Sequence, residues 1–240
     1  MKRLPLVLGI VGFCALTIRS AADAPPTWDP VERYAAEQVE GWRVLVHKDL
    51  DAADRRALRA DVLRLLSDHL FRVSRAVPAA ALEKLRRIPI WIEVAHPKHP
   101  CMCYHPSADW LRTHGMNPDK AGAVEIANCK NFLSWTHEQP WMVLHELAHG
   151  YHQRFLGESH AGILRCYEHA CAAGLYESVL RINGRHERHY ALTNAKEYFA
   201  EMTEAFFGTN DFYPFVRAEL KEHDPDMYEM LRQVWGVTGR

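Results

Sequence analysis

Apolar positions fall into two regimes along the chain. Before residue 127, short runs of branched and aromatic residues surround one long helical stripe; from Trp141 onward the 3.6-residue period dominates. Val39 to Val46 reads as a strand broken early by Gly41. Leu58, Val62, Leu65, Leu66, Leu70 and Val73 recur at helical spacing and predict a helix from Arg55 to Ala76, with Asp54 as its cap. Ile88 to Val94 reads as a second strand. Residues 95–120 contain five prolines or glycines and read as a loop. Val124-Glu125-Ile126 alternates and reads as a short strand, either a sheet edge or an ordinary internal strand. Beyond Trp141 the helices break near Gly157, Asn183-Gly184, Gly208–Asn210 and Pro214, and Asp211 to Phe215 is expected to pack the C-terminal helices onto the rest. No linker or repeat interrupts the pattern. An α+β fold is predicted for residues 23–240, a small mixed sheet in the N-terminal half and helices in the C-terminal half.

The first residues carry a different signal. Met1-Lys2-Arg3 is basic, Leu4 to Ile18 is apolar, and Ser20-Ala21-Ala22 offers small residues for cleavage, which predicts a signal peptide over residues 1–22. The apolar run falls short of the ~20 residues a membrane span needs. An uncleaved anchor is the alternative. A secreted or periplasmic protein with no membrane span in the mature chain is expected.

Composition removes several classes. Across 240 residues the charged share is 25% and the hydrophobic share 48%, which excludes disordered, collagen-like and coiled-coil chains. The formal net charge is -1, and no run of like charge supports a nucleic-acid partner. Cleavage leaves five cysteines, Cys101, Cys103, Cys129, Cys166 and Cys171, so at least one thiol stays unpaired within the chain. A bridge from Cys101 or Cys103 to Cys129 is open. Cys101-Met102-Cys103 has the wrong spacing for a zinc knuckle, and His96, His99 and His105 with these cysteines read as a loop or a second metal site. Trp110, Trp135 and Trp141 are candidates for a cleft lining or the core.

The strongest chemical signal is His145-Glu146-Leu147-Ala148-His149, in a stretch from 140 to 154 without an internal proline. On a helix, His145 and His149 share one face about 6 Å apart along the axis. Two imidazoles so placed can bind one zinc ion. Glu146, rotated about 100° away, reaches a water on the metal rather than the metal itself. A catalytic site needs a third protein ligand. The metzincin pattern would place a histidine six residues after His149, but Phe155 stands there. His152 would crowd the same helical turn. Glu197, Glu201 and Glu204 share one face of a helix bounded by Asn194 and Gly208, and their mutual repulsion is relieved either by a nearby cation or by solvent.

Taken together, His145 to His149 and the later run Tyr190-Ala191-Leu192-Thr193-Asn194-Ala195-Lys196-Glu197-Tyr198-Phe199-Ala200-Glu201 resemble the peptidase domain of anthrax lethal factor and its relatives, which are gluzincins. The resemblance covers roughly residues 120–210 and is specific in the spacing from Tyr190 to Glu201. It implies a zincin-like fold and a secreted zinc endopeptidase acting on peptide or protein substrates. It also implies one Zn²⁺ per chain, held by His145, His149 and Glu197, with Glu146 as general base. Tyr190 would face the metal and stabilise the oxyanion, and Glu201 would brace a ligand histidine from behind. A zinc hydrolase acting on a non-peptide or cell-wall amide would use the same residues. A catalytically silent zinc module would have no need of Glu146.

Overall fold

The computed structural model describes residues 28–97 and 99–238; the predicted signal peptide lies outside them. Two strands come first, β1 (Tyr34–Val39) and β2 (Trp42–His47). They form an antiparallel hairpin, where the sequence predicted one strand broken at Gly41. Glu40 and Gly41 both have positive φ, 49° and 89°, as a two-residue turn between right-twisted strands requires. A Cβ on Gly41 would meet Arg86 Nε at 2.6 Å. Helices α1 (Arg56–Ala76) and α2 (Ala79–Leu85) follow. The apolar stripe of α1 buries Val62, Leu66, Leu70 and Val73, but Asp54 does not cap it.

The remaining strands are β3 (Ile90–Ile92), β4 (Met102–Tyr104) and β5 (Val124–Ile126), with α3 (Ala108–Thr113) before β5. The segment predicted as loop therefore holds both a strand and a helix. Ser107 starts that helix by accepting the Trp110 N–H. The sheet order is β1-β2-β3-β5-β4, with β2, β3 and β5 parallel and β1 and β4 antiparallel to their neighbours. Val124–Ile126 is thus an internal strand, buried at all three residues. The edge is β4.

Register divides the sheet into two faces. Val44, Ile90 and Val124 align with Tyr104, and Val46, Ile92 and Ile126 with Met102; these join the main core with α1 and α5 (Met142–Tyr151). Leu45, Trp91, Glu125 and Cys103 form the opposite row. The rest of the fold is helical: α4 (Cys129–Trp135) before α5, then α6 (Ala161–Ala173), a small hairpin of β6 (Val179–Leu180) and β7 (His186–Glu187), α7 (Ala195–Phe207), α8 (Arg217–His223) and α9 (Pro225–Val234). Buried Asp224 ties the C-terminal helices to α7, capping Met227 N–H at 3.1 Å while accepting the phenols of Tyr176 and Tyr198 at 2.9 and 2.6 Å. Asp211 to Phe215 packs on the β6–β7 hairpin, where Tyr213 N–H donates to Leu180 O at 2.8 Å, and the Tyr213 ring meets His223 of α8 at 5.1 Å. All five described cysteines are free thiols, so no bridge joins Cys101 or Cys103 to Cys129. No helix among the described residues is long and apolar enough to cross a membrane.

Two core histidines make stability depend on pH. Burial pushes His69, in α1, down to about 4 and His189, stacked on Phe212, to about 3. Between the unfolded value of about 6.5 and these folded values, the unfolded chain takes up protons that the folded chain refuses. Stability therefore falls as pH drops through this window, each histidine contributing a slope of about 1.4 kcal/mol per pH unit. Urea midpoints should fall from pH 6.5 to 4.5, and His69→Phe should flatten the slope. An equally steep slope in the variant would remove His69 from this account.

Candidate metal centre

Helix α5 carries the two histidines on a nearly all-buried turn. Met142, Val143, Leu144, Leu147, Ala148 and Tyr151 fix its orientation in the core. Close approach to the sheet depends on Gly150, whose added Cβ would lie 2.7 Å from Ile88 Cδ1 and 3.0 Å from Tyr104 Cε2. Opposite stands α7. Asn194 caps it by accepting the Lys196 and Glu197 N–H groups at 2.9 and 3.0 Å, which sets Glu197 in the first turn. At the far end, Gly208 admits the Trp141 ring, which would overlap any Cβ there. Trp141 therefore packs against α7. Trp110 and Trp135 are exposed and away from the cleft described below.

These two helices bring three ligating atoms together. His145 Nε2 lies 3.0 Å from His149 Nε2 and 3.1 Å from Glu197 Oε2, and His149 Nε2 lies 3.2 Å from the same oxygen. Tetrahedral zinc with ligand bonds of ~2.0–2.1 Å separates neighbouring donors by ~3.3 Å. The tautomer sharpens the match. His145 Nδ1 donates to Glu204 Oε1 at 2.8 Å, which turns Nε2 toward a second imidazole and a carboxylate. A proton or a metal ion at this point would satisfy the three facing atoms. The group His145, His149 and Glu197 can hold a metal ion.

Electrostatics point the same way. Burial alone would lower the His145 pKa, but hydrogen bonds to Glu197 and Glu204 and the Glu201 charge overcome it and raise the value well above the ordinary one. Burial opposes ionisation of Glu197 too, yet the two histidines hold its pKa far below the usual carboxylate range. Behind His145, Glu201 is pushed up to about 8 by burial and the Glu204 charge. Three glutamates of α7, Glu197, Glu201 and Glu204, converge on the buried His145 ring.

Glu204, rather than Glu201, braces His145. Glu201 Oε1 stands 3.5 Å from Nδ1, and its Oε2 accepts from Asn210 Nδ2 at 2.8 Å. Glu201 and Glu204 are 5% and 4% exposed, which excludes a solvated acidic face. The shared face of the three glutamates was legible in their spacing. Which of them tilts toward His145 depends on the crossing of α5 and α7, which no local pattern encodes.

A cleft of about 420 Å³ opens over these three side chains. Glu146 lines it without joining the triangle, as its position on the helix predicts. Tyr190, half-exposed in the short turn Tyr190–Thr193 before α7, lines it too, its phenol pKa raised by partial burial and the Glu197 charge. One wall is β4, through Met102, Cys103 and Tyr104. This wall went unpredicted because three strand residues between prolines leave no periodic signal.

Two further groups could ligate an ion. His145 with Glu201 and Glu204 shares the first site. Cys103, His105 and Glu125 form the other, on the opposite sheet face. There, Glu125 Oε2 pairs with His105 Nε2 at 2.5 Å and Oε1 accepts from Lys120. Although burial opposes it, these partners lower the Glu125 pKa to about 2. The rings of His96, His99 and His105 follow one another at 5.3 and 5.8 Å beside this ion pair. Comparison of the chain with family models, curated proteins and solved structures found no match.

Proposed function

We propose that the chain is a zinc-dependent peptidase of the gluzincin type, with His145, His149 and Glu197 as ligands to one Zn²⁺. The observation that carries this reading is the triangle of donor atoms at 3.0–3.2 Å on the floor of the cleft. Zinc, when bound, supplies Lewis-acid chemistry that acidifies a water and polarises a carbonyl.

The chain's own groups supply the rest. Glu146 accepts the proton of the attacking water and returns it to the leaving amine, work that a carboxylate in the cleft but outside the ligand set can do. The Tyr190 phenol donates a hydrogen bond to the substrate oxygen as negative charge builds there. The edge strand β4 offers backbone N–H and C=O groups to an extended peptide laid along the cleft. A peptide uses that edge fully. A cell-wall or other non-peptide amide uses little of it, which favours the peptidase reading.

The reading is tested by metal analysis of the purified mature chain. One zinc per chain is expected after mild dialysis. Added zinc should raise the melting temperature of the stripped protein, with about 2.7 kcal/mol of stabilisation at a hundredfold excess over Kd. Absence of zinc together with an unmoved melting temperature would overturn it.

A further inference from the structure

Cys103 and His105 stand two residues apart at the sheet edge, so on extended chain both side chains lie on one face. Glu125 of β5 pairs with Cys103 in register and faces the same way. The ladder continues past β4: His105 N–H donates to Ala123 O at 3.0 Å and Gly122 N–H to His105 O at 2.7 Å. A thiol, an imidazole and a carboxylate thus converge on the face of the sheet opposite α5, their donor atoms within 4.8 Å of one another. The mechanism uses none of them.

Their contacts within the chain leave this group incompletely served. His105 Nε2 meets Glu125 Oε2 at 2.5 Å and Cys103 Sγ at 3.6 Å. One ring nitrogen carries one hydrogen or one lone pair, so it cannot satisfy both partners. Charge is unbalanced as well. Lys120 Nζ donates to Glu93 and to Glu125, so two carboxylates share one ammonium, and with a neutral ring and thiol one negative charge remains. A proton on the ring balances it but leaves the sulfur unserved. A divalent ion held by a Cys103 thiolate brings the sum to zero and serves all three donors. The 3.6 Å between sulfur and nitrogen equals the ~3.6 Å set at tetrahedral zinc by bonds of ~2.3 and ~2.0–2.1 Å. Lys120 holds Oε1 and leaves Oε2 to the ion, as the outer partner of a ligating carboxylate does.

We propose that Cys103, His105 and Glu125 form a second metal site, which takes a divalent ion of the zinc class more weakly than the His145, His149 and Glu197 group. Filling it parts Glu125 from His105 by ~0.8 Å, to the ~3.3 Å spacing of donors on tetrahedral zinc. It also releases to solvent the Cys103 proton, which burial and the Glu125 and Glu146 charges hold in place. The site therefore fills after the first centre and gives up its ion on mild dialysis. His105 and Glu125 are 3% and 0% exposed, so the ion enters as the edge opens, β4 being a three-residue strand paired on one side. Binding is coupled to reclosing of that strand.

Cobalt tests the site, because a thiolate ligand gives Co²⁺ a near-ultraviolet charge-transfer band that imidazole and carboxylate ligands do not. The mature chain, preloaded with one equivalent of zinc, is incubated with excess Co²⁺. The band should grow to one cobalt per chain. Cys103→Ser should abolish it and leave the zinc in place. His105→Ala should raise the cobalt needed for half the band about tenfold or more. Cys171→Ser, which alters a half-buried thiol of α6, should leave the band unchanged. If Cys103→Ser fails to fold, Cys103→Ala carries the same comparison. Absence of the band at saturating cobalt, or a band that persists without the Cys103 sulfur, would overturn the proposal. The first centre has no sulfur ligand, so this outcome is read independently of the peptidase reading.

Discussion

Replacing Glu146 by Gln should leave the chain folded and zinc-loaded while peptide turnover falls on the order of 10²-fold or more. The substitution is isosteric and keeps every contact of shape, but an amide cannot accept the proton that water gives up. Glu146 lines the cleft and takes no part in the His145, His149 and Glu197 group, so the metal has no reason to leave. The comparison needs wild type and variant at matched zinc content on the same mixed peptide library. Cleavage at near wild-type rate would assign the base to another residue.

Parts of this arrangement were legible in the sequence because they are local. The spacing of His145 and His149 needs only a helix, and the run from Trp141 to Tyr151 forms one. Asn194 and Gly208 mark the ends of α7 by capping and by close packing, so the face shared by Glu197, Glu201 and Glu204 follows from period alone. Other parts depend on partners far away in the chain. β4 is a strand because β5 offers it an antiparallel partner, not because Met102-Cys103-Tyr104 alternates. Gly41 looked like a defect in one strand, yet it is the turn that makes two. Whether Val124–Ile126 lies at an edge or inside the sheet was open for the same reason, since order across a sheet is set by register between segments. On a regular helix His152 would crowd the turn of His149, but a π-turn places it outside the His145, His149 and Glu197 group.

The three glutamates of α7 should separate by function when each is removed in turn. Glu197 supplies one vertex of the donor triangle, so Glu197→Ala leaves two histidines and should lose zinc on dialysis. Glu204 accepts the His145 Nδ1 proton at 2.8 Å and thereby turns Nε2 toward His149 and Glu197. Removing such a partner typically costs ~10–100-fold in metal affinity or activity, so Glu204→Ala should hold zinc at high concentration and release it on dilution. Glu201, at 3.5 Å from the same nitrogen and tied to Asn210, should have the mildest effect on affinity. It is also buried, with a pKa pushed up to about 8, so Glu201→Gln should keep the fold and the metal. Zinc titration of the three variants against a competing chelator ranks them directly. The order Glu197, Glu204, Glu201 is expected. If Glu201→Gln weakens zinc more than Glu204→Ala does, then Glu201 braces His145, and the 2.8 Å contact to Glu204 does not govern the metal.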